Sequence, residues 1–155
     1  MEQIAIPKTP VKFKIPRMQL VFANAAVQFA LQDEESIKCL RIMRGALVIA
    51  EQLDSELLAI TGVAPRGSLV ESFDALEELS VELSVYSLVV MRVCIDVVAS
   101  RLPEFLSWMG EASLNEGELL SNVRRFSYDV GTMIATAMQR GMEDFAMKSG
   151  SVTVH

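Results

Sequence analysis

The stretch Ser68–Leu102, SLVESFDALEELSVELSVYSLVVMRVCIDVVASRL, decides the fold class. Ser68 and Glu71 stand three apart, the spacing at which a Ser hydroxyl and a Glu carboxylate satisfy each other's free N–H groups at a helix start. No glycine or proline interrupts the chain from there to Pro103. The stretch reads as one long helix ending near Ser100 or Leu102, since the residue before a proline is pushed out of helical backbone. Its carboxylates Glu71, Asp74, Glu78 and Glu82 then share one face, with Glu77 beside them.

Outward from this helix, Gly62-Val-Ala-Pro65-Arg-Gly67 is the clearest turn in the chain. Before it, Asp33 followed by Glu34 and Glu35 makes a helix start, with a side-chain cap and negative charge at the positive end of the helix dipole. A second long helix is expected from Asp33 to Thr61, closed by Gly62. After Leu102, Pro103 opens a short piece whose Phe105, Leu106, Trp108 and Met109 suit a lid over one end of a bundle. Ser113 and Glu116 repeat the capping spacing and begin the last helix, about Leu114–Ser149. A further helix, from Pro16 or Arg17 to Gln32, carries Asn24, Gln28 and Gln32 as a polar stripe.

The expected fold class is therefore all-α: an antiparallel bundle of three long helices plus an N-terminal helix and a short lid helix, with an extended N-terminal arm. The arm covers residues 1–17, the bundle 18–150 and a tail 151–155. In the arm, Pro7, Pro10 and Pro16 exclude a regular helix. Between them Val11, Phe13 and Ile15 alternate with Lys12 and Lys14, which is a strand pattern.

Charge separates the arm from the rest. Lys8, Lys12, Lys14 and Arg17 against Glu2 give the first 20 residues +3, which leaves −9 for the others in a chain of net −6. An acidic body offers no phosphate-binding surface, so nucleic acid is expected only through the arm. The basic arm and the acidic face Glu71, Asp74, Glu78, Glu82 are also complementary, as an arm lying along a neighbouring subunit would need.

The motifs of common chemistries are missing. The single histidine is His155, which removes His-based triads, most zinc sites and the Glu-x-x-His pairs of di-iron bundles. Gly62 and Gly67 have the spacing of a phosphate loop, but Ser68 stands where its lysine belongs. Cys39 and Cys94 have no ligand spacing and read as reduced, buried small hydrophobes. No cofactor, metal site or catalytic residue is expected, and the chain reads as no enzyme. The opening MEQIAIPKTP places proline and lysine where a secretory signal has its apolar core, so a cytoplasmic or other reducing soluble compartment is expected, without membrane association.

What remains is packing. Hydrophobic residues make up 51% of the chain and aromatics only 6%, so the core is aliphatic. The runs Gly45–Ala50, Leu83–Met91 and Val130–Met138 lose charge on all sides near the middle of three helices, which suggests that each is surrounded. Val85 and Val89 are then interface candidates, because a helix turning every 3.6 residues cannot point all of Val85–Met91 inward. Ser127, Gly131 and Ala135, four apart, let another helix approach closely. Val11, Phe13 and Ile15 would latch onto a neighbour as an added strand. The function expected is a non-enzymatic structural or assembly subunit: a homo-oligomer, filament, shell or multiprotein complex. The alternatives are a helical adaptor or inhibitor of another protein and a nucleoprotein subunit.

Overall fold

A computed structural model describes residues 9–62, 64–65, 77–110 and 115–153, with side chains as far as Glu143. The chain is mostly helical with a small two-stranded sheet. Its elements in order are β1 (Val11–Pro16), α1 (Arg17–Gln32), α2 (Glu34–Ile42), α3 (Ala46–Thr61), β2 (Glu78–Leu83), α4 (Val85–Ser100), α5 (Leu102–Met109) and α6 (Glu116–Thr153).

The long helix expected over Ser68–Leu102 does not form. Residues Glu78–Leu83 are a strand, antiparallel to β1, with Val11 opposite Leu83, Phe13 opposite Val81 and Ile15 opposite Leu79. The sequence ELSVEL fits both periods: Glu78 and Glu82 are four apart, as on a helix, yet Glu78, Ser80 and Glu82 also alternate with Leu79, Val81 and Leu83. The β1 partner decides between them. Val81, Leu83 and Ile15 are buried, while Lys12, Lys14, Glu78, Ser80 and Glu82 face water. Burying one such aliphatic side chain contributes roughly 1.5–3 kcal/mol, which holds the strand where helix propensity alone would not. The helix that follows is short, and its cap is Ser84, whose Oγ accepts the Ser87 N–H at 3.2 Å. Ser68, Glu71, Asp74 and Ser113 lie outside the described residues.

The ladder has a definite phase. The Arg17 N–H donates to the Glu77 carbonyl at 2.7 Å, continuing the strand pairing by one step. In an antiparallel pair, hydrogen-bonded and open positions alternate. Val11, Phe13 and Ile15 therefore exchange bonds with Leu83, Val81 and Leu79, whereas Lys12, Lys14 and Pro16 turn their backbone groups to the outer edge. Pro16, with no N–H to offer, sits where none is needed.

The second expected helix is also divided. Asp33 caps α2 as its position suggests, its carboxylate accepting from Ser36 N at 3.2 Å and Ser36 Oγ at 2.7 Å. Met43 then leaves helical geometry, and Gly45 takes φ +78° before α3 begins. That left-handed conformation costs a residue with a Cβ roughly 1–2 kcal/mol, so this glycine fixes the elbow. Gly62 ends α3 as expected, its N–H donating to Leu58 O at 2.9 Å. The lid is present as α5, ended by Gly110, with Phe105, Leu106 and Met109 buried. α6 continues through Thr153, so most of the expected tail is helical.

The centre of the molecule is α1. Leu20–Val27 are buried on every side, as are Phe29 and Ala30, and α1 packs against α2, α3, α4 and β1. Phe22 and Phe29 meet Phe105 of the lid edge-on at 5.8 and 5.5 Å between ring centroids, and Phe22 meets Phe126 of α6 at 6.1 Å. The polar stripe is used inside. Asn24 Nδ2 and Gln28 Nε2 both donate to Asp54 Oδ1 of α3, at 2.7 and 2.9 Å.

Candidate interaction surface

The surfaces expected to meet another chain are largely occupied by this one. Val85 is only 3% exposed and Leu88, Val90 and Met91 are buried with it; Val89 is half-buried against the same core. α4 lies among α1, α3 and α6 and makes its closest association with α6. Ile15 is buried and Val11 and Phe13 are half-buried, so the strand of the arm is added to its own chain's β2.

The small residues of α6 have an internal explanation too. Arg92 of α4 lies across Gly131, so close that a Cβ there would meet Nη1 at 2.7 Å and Cζ at 2.9 Å. Arg92 Nε donates to Ser127 Oγ at 3.3 Å, and the Ser127 hydroxyl donates to Asp96 Oδ1. Arg92 and Asp96, one turn apart, are thus joined through Ser127. Ser127 and Gly131 make room for an arginine rather than for a second helix, while Ala135, one turn further, is exposed.

The charged candidates are redistributed. Lys8, Glu71 and Asp74 fall outside the described residues. Lys12 and Lys14 are exposed, and Lys12 stands directly opposite Glu82 on the open face of the sheet. Lys12 of the basic arm and Glu82 of the acidic stripe therefore lie opposite each other within one chain, on a sheet and not on a helix face. Arg17 is engaged, its Nη2 donating to Thr61 O at 2.7 Å and its Nη1 3.4 Å from Glu77 Oε2.

Uncharged runs proved a poor sign of enclosure. Val48 is 58% exposed inside Gly45–Ala50, Tyr86 is exposed inside Leu83–Met91, and Thr132 and Ala135 are exposed inside Val130–Met138. Glycine, alanine and threonine sit in water at little cost, so absence of charge is not burial. Cys39 is exposed, contrary to expectation, and both cysteines are free; burial pushes the Cys94 thiol up to about 12.

Two places outside the expected interface faces carry large exposed side chains. At the α2–α3 elbow, Ile42 is 85% exposed beside exposed Arg41 and Arg44, with Val48 on the next turn. On the outer side of α6, Tyr128 is 71% and Met142 62% exposed, with Ala135 midway between them. The signal for the second was available: Tyr128, Ala135 and Met142 recur at sevens. Elsewhere, a cleft of about 200 Å³ between α1 and α6 is lined by Phe22, Leu119, Val123 and Phe126, with Gln19 and Arg125. Among the described residues no three His, Cys, Asp or Glu side chains converge as a metal site would require, and no helix is long and apolar enough to cross a membrane. Comparison with family models, with curated proteins and with solved structures finds no match to this chain.

Proposed function

We propose that this chain is a non-enzymatic assembly subunit of a reducing compartment, self-associating through helix faces other than those its composition suggests. The observation that carries this reading is where large apolar side chains remain in water. The core is closed around α1 and α4, yet Ile42 and Val48 stand out at the elbow, and Tyr128 and Met142 on the outer side of α6. Single exposed hydrophobes are ordinary, but large ones this exposed, recurring at the elbow and along one side of a helix, suit contact with another chain. The test is sedimentation velocity from micromolar to millimolar concentration. A rising weight-average mass is expected, and an unchanging monomer would remove the proposal. The elbow also supports a second reading, an adaptor for another protein, because Arg41 and Arg44 beside Ile42 fit an acidic, apolar surface.

A further inference from the structure

α6 is 38 residues long, roughly 57 Å at the helical rise, whereas among the described residues no other helix exceeds 16 residues, about 24 Å. Its inner face is used by Leu119, Val123, Phe126, Val130 and Ala137, all buried. On the opposite side Tyr128, Ala135 and Met142 are exposed. Positions seven apart on an α-helix drift by only about 20°. The three therefore form one line along the axis: bulky, small, bulky.

That line is symmetric about Ala135, with Tyr128 seven residues before it and Met142 seven after. Two antiparallel copies related by a two-fold axis at Ala135 would set Ala135 against Ala135, where the backbones can approach most closely. Tyr128 would meet the partner's Met142, twice, a ring-on-thioether contact that sulfur favours. The flank of the line adds charge complementarity. Arg125, at the rim of the α1 cleft, lies ten residues before Ala135, and Glu143, which accepts from Gln139 Nε2 at 3.3 Å near Lys12 of β1, eight after it; both are exposed and on the same side of the helix. The two-fold keeps that side together, so Arg125 of one copy falls beside the partner's Glu143. A parallel pairing instead brings Arg125 level with Arg125 and leaves Glu143 about 27 Å away along the axis. Thr132, also exposed, turns its hydroxyl back to Tyr128 O at 3.3 Å and so brings no unsatisfied donor to the seam. The other flank is already filled by Arg92 over Gly131.

We infer that the partner of the outer face of α6 is α6 of a second copy, antiparallel, with the two-fold axis at Ala135. This rests on the self-association proposed above and gives it an orientation and a register. The seam is narrow, below the area of standard interfaces, so a dissociation constant in the micromolar range or weaker is expected.

The experiment is sedimentation equilibrium of the full chain and two variants, Tyr128→Glu and Tyr128→Glu/Met142→Lys, with circular dichroism confirming that each is folded. Antiparallel pairing places the new Glu opposite the new Lys twice. The single variant should weaken dimerisation at least tenfold and the double should recover most of it. If the wild type self-associates but Tyr128→Glu leaves it unchanged, another face is responsible: the register is wrong and the assembly reading stands. A double variant weaker than the single would show like charges meeting, hence parallel pairing, and overturn the orientation. A wild type monomeric at millimolar concentration would end both proposals.

Discussion

Asp33 caps α2 and also anchors Arg101 at the end of α4, with Arg101 Nη2 donating to Oδ1 at 2.9 Å and Nε 2.8 Å from Oδ2. Burial pushes its carboxyl upward, but the hydrogen bonds from Ser36 and Arg101 outweigh that and hold it below the ordinary value. A carboxylate whose folded value is depressed stabilises the fold above its unfolded value, near 4, and that contribution is lost as pH falls through the lower folded value. Unfolding midpoints in urea should therefore decline on acidification across that window. Asp33→Asn, which can still accept from Ser36 but carries no charge, should flatten the decline. Asp33→Ala should also lose the cap, about 1 kcal/mol at neutral pH. A wild-type midpoint that stays level through the same range would show that Asp33 contributes nothing by its charge. The cap was legible in Asp33-Glu34-Glu35. The ion pair was not, because Arg101 is 68 residues away in sequence and only the packing of α4 beside α2 joins them.

β1 and β2 show how a period can be read correctly in one element and wrongly in its partner. Around VKFKIP, Pro7, Pro10 and Pro16 suppress the helical alternative, so alternation is the only pattern left. In ELSVEL nothing local suppresses the helix, and a capping pair upstream with an unbroken run downstream favours it; the choice belongs to the partner strand. The same lesson applies to Ser84, overlooked as a cap because the chain before it was read as helix already. The phase of the ladder can be checked by hydrogen exchange. Amides of Phe13, Ile15, Leu79 and Val81 face the partner strand and should be protected. Those of Lys12, Lys14, Ser80 and Glu82 face outward and should exchange quickly. The reverse pattern would place the register one residue out, which would turn Ile15 and Val81 toward water. Lysines and a proline on the outward phase of β1 are also what keeps an open sheet edge from recruiting other strands. They weaken the idea of the arm as a latch, quite apart from its pairing within the chain.

Across the whole molecule, absence of charge does not by itself report enclosure. Met18–Gln32, the longest uncharged stretch, is α1, and it lies at the centre; the runs in α3 and α6 each leave one side in water. Which faces stay open depends on the elbow at Gly45 and on the sheet, neither of which periodicity reports. The open faces then set how far assembly can go. A two-fold contact along α6 is satisfied by a single neighbour, so it closes at a dimer. Growth beyond two copies would need a second face, and on the assembly reading that face is the elbow, where Ile42 lies between Arg41 and Arg44, with Val48 on the next helix, in a chain of net −6. Its attraction to the acidic surface of another copy acts between exposed charges, so it fades as the screening length falls from about 10 Å at 0.1 M salt to about 3 Å at 1 M. Species larger than a dimer are therefore expected at low salt and should give way to dimers at high salt. Ile42→Asp should abolish them at every salt concentration, because it puts a carboxylate where the apolar contact forms, and should leave the dimer intact. Sedimentation velocity of wild type and variant at the two salt concentrations reads both effects. Larger species that persist in Ile42→Asp would exclude the elbow as the second face.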